Sequence, residues 1–328
     1  MQSYIEKEHI KKIFSIFNES EIYLVNTPLQ FLNLVEYKFK FSNHFNKPRK
    51  IFACNSYRRE IQQINFIKKK LKLNYEIVYI NKKIYKLLLL IVCFFKKIFK
   101  DKLQLIVIGD YENPFLKKIF KFSNKVIFLD DGTNIFDNKN SLKKILSKNS
   151  NYYFFSFFDN KFLGTKKFLK NDFLFLKSKI KKIKKTNKIL FLGSSLYSDI
   201  FDLKTFKKIQ TYFLKKYSRN KIYYFLHPKE TISSLKKTVL FKTVKSSLPL
   251  ELYLILNNEI PKIIISYNST AFVTLKKIFS SKVKLLNLLV KVKKDEGGEN
   301  YAFFLFQIHL KIIRYFKKYL KIKTIFIK

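Results

Sequence analysis

The feature that most constrains the fold is a repeated alternation between short, continuous apolar runs and longer segments of helical character. Strands that are apolar on both sides are typical of parallel sheets covered by helices on both faces. The runs of the first half are IYLVN (22–26), IFACN (51–55), EIVYI (76–80), LQLIVIG (103–109) and KVIFL (125–129). Segments such as PLQFLNLVEYKF and KIYKLLLLIVCFFKKIF are suitable crossover helices between them. The first half is therefore predicted to form a doubly wound α/β domain.

The same alternation returns after a less regular segment at about 137–185, whose lysine-rich end we interpret as an interdomain connection. The later runs are KILFLG (188–193), IYYFL (222–226), TVLFKTV (238–244), KIIIS (262–266) and KVKLLNLL (282–289). From Glu299 onward the sequence predicts a long amphipathic helix and a short tail, TIFIK. A chain of 328 residues suits two domains. We expect two Rossmann-like domains, 1–180 and 181–328, the second carrying the C-terminal helix.

The chain is strongly basic, with 67 Lys and Arg against 23 Asp and Glu and a net charge of +44. Such a charge favours nucleic acid, a membrane surface or an anionic substrate as partner. However, abundant Lys, Phe, Ile and Asn without Trp is typical of AT-rich coding sequences, and the lysines are spread along the chain. No RNP pattern, zinc-finger spacing or basic zipper accompanies them. Nucleic-acid binding is therefore only a distant alternative, whereas the anionic inner-membrane surface is a reasonable partner.

The cysteines, the N-terminus and the apolar segments indicate where in the cell the protein is expected. Cys54 and Cys93 lie in apolar stretches without a CxxC or Cys/His cluster, so we expect buried thiols and no zinc site. The N-terminus, MQSYIEKEHIKK, is too charged for a signal peptide. The most apolar run, LLLLIVCFF (87–95), is about half the length of a membrane-spanning helix. The prediction is a protein of the cytoplasm or of the cytoplasmic face of the inner membrane.

Small, polar and acidic residues are concentrated directly after the predicted strands. These strand ends are Asn26-Thr27-Pro28, Gly109-Asp110, Asp130-Asp131-Gly132, Gly193-Ser194-Ser195, His227-Pro228 and Asn268-Ser269-Thr270. Ligands of open α/β sheets bind outside the carboxyl ends of the strands. With two such domains, we expect the site in a cleft between them.

Each strand end also has a purely structural interpretation. Asp, Gly and Asn are the usual turn formers, which accounts for DDGTN. Serine and threonine hydroxyls before a helix act as N-caps, and acids in a first helical turn stabilise the helix dipole. Helix starts facing one cleft would also bind a phosphate. GxGxxG and GxxxxGK[ST] are absent from the sequence, which argues against dinucleotide-binding and P-loop sites.

Taken together, several motifs resemble one enzyme family. NTPLQFLNLVE, FLDDGTNIF, LFLGSSLYSD, YYFLHPKE, PLELYLIL and IIISYNSTAF occur in the order seen in the bacterial lipooligosaccharide sialyltransferases of glycosyltransferase family 52. The resemblance covers about residues 21–280. It implies a GT-B fold, meaning two Rossmann-like domains with the active site between them. It also implies an inverting transfer of sialic acid from CMP-N-acetylneuraminate to a terminal galactose of lipooligosaccharide, with no metal or other cofactor.

The resemblance also implies roles for individual residues. Asp199 is implied as the general base, His227 as the residue at the donor phosphate, and Glu251 as a partner of the CMP ribose. The implied donor-binding set is Gly193, Ser194, Ser195, Pro228, Glu251, Ser269 and Thr270. In YYFLHPKE, Pro228 fixes φ and removes a donor, which ends the strand where His227 projects.

Alternatives remain for the base, the donor and the assembly. Asp202 lies one helical turn beyond Asp199, and the acids of the Asp130-Asp131-Gly132 motif are further rivals. Another nucleotide sugar, such as a UDP-hexose, is the main alternative donor for surface-glycan synthesis. A homodimer is possible, and the sequence does not determine the oligomeric state.

Overall fold

The computed structural model describes most of the chain as two compact units, Met1–Phe175 and Leu176–Lys328. The division lies close to the expected boundary at 180. The residues described are 2–42, 49–53, 58–80, 82–99, 103–132, 135–180, 182–193, 203–218, 221–227, 230, 239–290 and 299–327. Each unit is built around one parallel sheet.

The first unit contains a seven-stranded sheet in the order β3-β2-β1-β4-β5-β6-β7, and every neighbouring pair is parallel. Its strands are β1 (Glu21–Val25), β2 (Arg49–Ala53), β3 (Tyr75–Tyr79), β4 (Leu103–Ile108), β5 (Ser123–Leu129), β6 (Tyr152–Ser156) and β7 (Phe168–Lys170). The helices are α1 (Gln2–Phe14), α2 (Pro28–Phe41), α3 (Arg58–Lys70), α4 (Lys83–Ile98), α5 (Pro114–Ile119), α6 (Ile135–Ser147), α7 (Asn160–Leu163) and α8 (Leu174–Ser178), where the last crosses into the second unit. Short 3-10 turns cover Ser15–Asn18 and Phe120–Phe122.

The second unit contains a six-stranded parallel sheet in the order β10-β9-β8-β11-β12-β13. Its strands are β8 (Lys184–Leu192), β9 (Ile222–Phe225), β10 (Lys242–Val244), β11 (Glu259–Ser266), β12 (Lys284–Val290) and β13 (Lys323–Ile327). Its helices are α9 (Leu203–Lys216), α10 (Leu250–Leu256), α11 (Ala271–Phe279) and α12 (Glu299–Tyr315), and α12 continues as a π-helix over Phe316–Leu320. A 3-10 turn covers Ser280–Lys282.

The predicted α/β class is confirmed in both units. In each sheet the first strand of the unit lies in the middle, flanked on one side by the next two strands and on the other by the fourth. This is the winding of a Rossmann-type sheet, with a switch point between the first and fourth strands. Burial follows the same plan, since Ile22, Leu24 and Val25 of β1 are all fully buried.

Two details of the prediction are wrong. The segment at 137–185, described as less regular and without strands, instead supplies β6 and β7 to the first sheet. The tail TIFIK forms β13, which pairs with β12 through Asn287 and Thr324. β7 and β13 are short strands at a sheet edge and carry little signal of their own, whereas β6 pairs with β5 on one side and β7 on the other.

The start of α2 shows how local sequence sets an element. Thr27 is the N-cap, and its hydroxyl accepts the Gln30 N–H at 3.2 Å. Pro28 occupies the first turn, where its missing N–H costs nothing. The helix is buried over much of its length, including the polar side chains of Asn33 and Glu36. It therefore needs hydrogen-bond partners inside the unit.

A buried polar network supplies those partners. Asn33 donates from Nδ2 to the backbone carbonyl of Asp130 at 2.9 Å and accepts from Nδ2 of Asn171 at 2.9 Å. The carboxylate of Glu36 accepts the N–H of Phe175 at 2.9 Å. The network ties α2 to the end of β5 and to the loop after β7, so the position of Asp130 depends on it.

We predict that Asn33→Ala lowers the free energy of unfolding by about 3 kcal/mol, because it leaves two buried polar groups without partners. Urea denaturation followed by circular dichroism measures this. Asn124→Ala is the matched control, since Asn124 is exposed on β5, and should change the value by less than about 0.5 kcal/mol. Equal effects of the two substitutions would contradict the network's role.

Candidate functional site

The carboxyl edge of the first sheet brings together the ends of β1, β4 and β5. Gln30 accepts the Asn26 N–H at 2.7 Å and lies against Gly109, where any Cβ would overlap the Gln30 amide. Gly109 therefore permits this close approach, and a larger residue would displace the Gln30 side chain. The Nε2 of Gln30 is buried without a hydrogen-bond partner among the described residues. A buried amide in that condition at a switch point is a candidate ligand contact.

Asp130 and Asp131 have very different surroundings. Asp130 is fully buried; Oδ1 accepts the Gly132 N–H at 2.8 Å and Oδ2 accepts the Ser156 hydroxyl. Burial raises the pKa of Asp130 to about 8, although these hydrogen bonds favour the charged form. Asp131 is half-buried and accepts the Thr27 hydroxyl at 3.3 Å. Asp130 therefore shapes the turn, whereas Asp131 is the acid that reaches solvent at the strand end.

In the second unit, the ends of β8 and β9 meet at Gly193 and His227. Glu230 joins them: Oε2 accepts the His227 N–H at 2.8 Å, and Oε1 accepts the Tyr224 hydroxyl at 2.7 Å. A Cβ on Gly193 would overlap the Glu230 carboxylate and lie 2.8 Å from the His227 nitrogen. Glycine at 193 thus permits the contact that fixes the backbone of the half-buried His227.

The switch point of the second sheet lies between β8 and β11, and the loop after β11 is tightly organised there. Asn268 has a positive φ of 49° and exchanges two hydrogen bonds with the buried Asn287, at 2.8 and 2.9 Å. The Ser269 hydroxyl accepts the Ala271 N–H at 3.2 Å, just before α11, whose N-cap residue is Thr270. Ser266 Oγ and Asn268 Nδ2 are buried without a partner among the described residues. This loop combines a helix N-terminus with unsatisfied polar atoms, which suits an anionic ligand.

Glu251 packs directly behind that helix start. It lies in the first turn of α10, is 7% exposed, and accepts the hydroxyl of Thr274 on α11. Burial raises the pKa of the Glu251 carboxyl, which the hydrogen bond from Thr274 opposes. Part of its hydrogen-bonding capacity is therefore used inside the protein.

A buried Tyr–His pair lies beneath the same strand end. The hydroxyl of Tyr267 is 2.6 Å from Nδ1 of His309 on α12, and the two rings meet edge to face with centroids 4.8 Å apart. Burial lowers the pKa of His309 to about 4 and raises that of Tyr267. The imidazole is therefore neutral at pH 7, and its Nδ1 shares one hydrogen bond with the Tyr267 hydroxyl.

Some predicted site residues lie outside the described part of the chain, namely Ser194, Ser195, Asp199, Asp202 and Pro228. The others are distributed between two sheet edges. Asp130, Asp131 and Gly132 belong to the first unit, and Gly193, His227, Glu251, Ser269 and Thr270 belong to the second. Within the second unit, Gly193 contacts His227, and Glu251 contacts the helix that begins after Thr270.

Sequence reasoning missed Gln30, Glu230, Asn287 and His309. Glu230 follows His227 closely, and its position in a turn was the available signal. Asn287 and His309 carry no signal of this kind, since their partners are distant in the chain, and the contact of Gln30 with Gly109 is equally distant. Among the described residues no group of three His, Cys, Asp or Glu side chains is close enough to bind a metal ion. Metal independence accordingly stays a prediction.

Comparisons with known proteins address the fold. No protein-family model matches the chain, and no curated protein matches it. A solved structure, Arabidopsis thaliana UGT89C1 in complex with UDP-L-rhamnose, is similar over 93% of this chain and 84% of its own, with a TM-score of 0.51 and 10% identity. The chain has a two-domain GT-B type fold. At this identity the likeness concerns the fold alone, and the resemblance to sialyltransferases stays a prediction.

We predict that His309 makes stability depend on pH in acid. Its folded pKa of about 4 lies below the ordinary 6.5, so the unfolded chain binds the extra proton first. Stability should therefore fall as the pH drops from 6.5 towards 4, by about 3 kcal/mol at the lower limit. Asp130 has the opposite effect: because its folded pKa is raised, the protein loses stability as the pH rises from 4 to 8. This effect is the same in the wild type and in the His309 variant, so it cancels in their difference.

The measurement is urea denaturation of wild type and His309→Phe across this pH range, and the difference between the two curves isolates His309. Tyr267→Phe is the matched control: the imidazole stays buried, so the acid dependence should persist. An identical pH slope in wild type and His309→Phe would contradict the prediction.

Proposed function

We propose that this chain is a glycosyltransferase that uses a nucleotide sugar. The observation that carries the proposal is the switch point of the second sheet, where a helix start, buried polar atoms without a partner among the described residues and a buried glutamate lie together at the end of β11. This arrangement suits the phosphate and ribose of a nucleotide. The fold is also that of a protein whose structure contains UDP-L-rhamnose, which supports the same class of donor.

The donor we favour is CMP-N-acetylneuraminate, and the acceptor is a terminal galactose of lipooligosaccharide. The support for this finer assignment is the ordered set of motifs described above. A net charge of +44 suits a donor that carries both a phosphate and a carboxylate. The UDP-sugar in the structural neighbour makes a UDP-hexose the alternative donor.

In the proposed reaction, the acceptor hydroxyl attacks the anomeric carbon of the sialyl residue while the bond to the CMP phosphate breaks. The anomeric configuration inverts, the base takes the hydroxyl proton, and CMP leaves with the bonding electron pair. Negative charge grows on the leaving phosphate, so hydrogen-bond donors must be aimed at it in advance. We assign this role to His227, Ser269 and the first N–H groups of α11. Glu251 is assigned to the ribose.

The base remains to be assigned among four acids. Asp199 is our first choice and Asp202 the second, both outside the described residues. In the first unit, the geometry favours Asp131 over Asp130 as a rival, because both carboxylate oxygens of Asp130 accept internal hydrogen bonds. A general base must reach the hydroxyl proton, which a fully buried carboxyl does not do.

The donor is tested by incubating the purified protein with a galactose-terminated lipooligosaccharide and either CMP-N-acetylneuraminate or UDP-hexoses. We expect CMP release and a sialylated product. Turnover of a UDP-sugar alone would reject sialyl transfer and retain a glycosyltransferase. Absence of turnover with every donor, from a folded protein, would reject both. Activity that is lost in EDTA and restored by a divalent ion would refute metal independence.

Single substitutions test the residue roles. We predict that His227→Ala and Asp199→Asn each lower kcat by about 10²–10⁴-fold with little change in thermal stability, as expected when a transition-state partner or base is lost. Rates of CMP release under saturating donor measure this.

A matched pair separates the rival acids. Asp131→Asn should retain near wild-type kcat if Asp199 is the base, whereas Asp130→Asn should act mainly on stability, since Asp130 holds the turn. If Asp199→Asn is active and either Asp202→Asn or Asp131→Asn is inactive, the base moves to that residue.

A further inference from the structure

Helix α4 exposes a long apolar face although it belongs to a packed α/β unit. Its opposite face is buried by Tyr85, Leu89, Val92 and Cys93. The outward residues are large and accessible: Ile84 is 57% exposed, Leu87 56%, Ile91 36%, Phe94 51%, Phe95 42%, Ile98 53%, and Phe99 just after the helix 72%. We call these seven residues the α4 stripe. Isolated exposed apolar residues are common, but a contiguous row marks an interaction surface.

The spacing makes the stripe continuous along the helix axis. Ile84, Leu87, Ile91, Phe94 and Ile98 follow the 3.6-residue period, so they lie above one another on one side. At 1.5 Å per residue this row is about 21 Å long. Among the described residues, no helix has the length and apolar composition to cross a bilayer. A helix anchored on one face and apolar on the other would instead lie flat in an interface.

Lysines border the stripe on one side. By the helical period, Lys83, Lys86 and Lys97 fall along the same edge. That edge faces α5 and the following 3-10 turn, since Lys86 lies over the Phe115 ring and Lys97 over the Phe122 ring, at 5.8 and 5.9 Å. The neighbouring segment adds the exposed Lys118 and Lys121.

The charges around the α4 stripe indicate what kind of partner covers it. Residues 82–99 contain no Asp or Glu, so the stripe and its basic edge lack acidic residues of their own. Two copies paired through this face would bring together two basic edges that, within residues 82–99, carry no acidic side chain. An anionic lipid surface supplies both missing elements: an acyl region for the apolar row and negative headgroups for the lysines, whose stems extend towards the headgroups.

We propose that the α4 stripe is the site at which this protein docks on an anionic lipid bilayer. Docking does not depend on the donor or on the catalytic residues. For an enzyme that acts on a lipid-anchored glycan, it would keep the protein at the surface that presents the acceptor.

The first experiment uses the absence of Trp from the chain. Phe94→Trp introduces a unique fluorophore in the stripe, and Phe326→Trp places one at a similarly exposed position on β13, where Phe326 is 53% exposed. We expect the emission of Phe94→Trp to shift to the blue on addition of vesicles of phosphatidylcholine and phosphatidylglycerol in equal parts. The Phe326→Trp emission should not shift. The reverse result, or no shift in either variant, would overturn the proposal.

The second experiment measures partition of the full chain by vesicle sedimentation. Replacing Leu87, Phe94 and Ile98 together by Ser should lower partition about a hundredfold or more, because each side chain loses its transfer to the interface. The control replaces the exposed Leu256 and Phe326 by Ser and should bind as wild type does. Thermal melting checks that both variants are folded.

A charge variant keeps the test independent of the apolar substitutions. Replacing Lys83, Lys97 and Lys121 by Gln should weaken binding to the mixed vesicles at least tenfold and leave weak binding to pure phosphatidylcholine unchanged. The control is a second basic face, Lys204, Lys207, Lys208 and Lys215 on α9, replaced by Gln. If the α9 variant loses binding and the α4 variants keep it, docking occurs elsewhere and the proposal is wrong.

Light scattering tests the alternative that a second copy of this chain covers the α4 stripe. If the wild type is a dimer in solution, the triple Ser variant is a monomer and neither binds vesicles, then the stripe is a subunit interface and the proposal is rejected. Vesicle binding by a wild-type monomer that the Ser variant loses would support it.

Discussion

Parallel strand pairing is the constraint on which the rest of this structure depends. In both units every described pair of neighbouring strands is parallel, so each connection must return the chain to the same end of the sheet. The carboxyl ends of all strands in a unit therefore lie along one edge. Residues that are far apart in sequence, such as Gly193 and His227 or Thr27 and Asp131, become neighbours for this reason alone.

The same constraint separates supporting residues from those available to a ligand. The polar groups at a buried strand end need hydrogen-bond partners. Asp130, Asn33 and Glu230 supply such partners within the protein. Asp131 is half-buried at the sheet edge. Adjacent residues can thus differ completely in role, because a one-residue step along the chain moves the side chain from the interior to the edge.

The two proposed activities, membrane docking and sugar transfer, would use different parts of the molecule. The proposed transfer uses strand ends, whereas the proposed docking uses the outer face of a crossover helix. In a covered parallel sheet the outer faces of helices are normally polar. The apolar α4 stripe departs from that rule within a chain that is otherwise rich in lysine, and the departure is what makes it informative.

The sequence by itself determined the α/β class, the central strands of both sheets and the strand ends at which polar residues collect, since strand and helix periodicity are local properties. It missed β6, β7 and β13, of which β7 and β13 are short edge strands with a weak local pattern. Only the tertiary structure decided that Asp130 is buried and Asp131 is not, that Glu230 fixes the His227 backbone, and that His309 meets Tyr267. It also decided which face of α4 is exposed, because the run LLLLIVCFF is apolar on every side. These properties depend on contacts between residues far apart in the chain, and local sequence patterns do not encode such contacts.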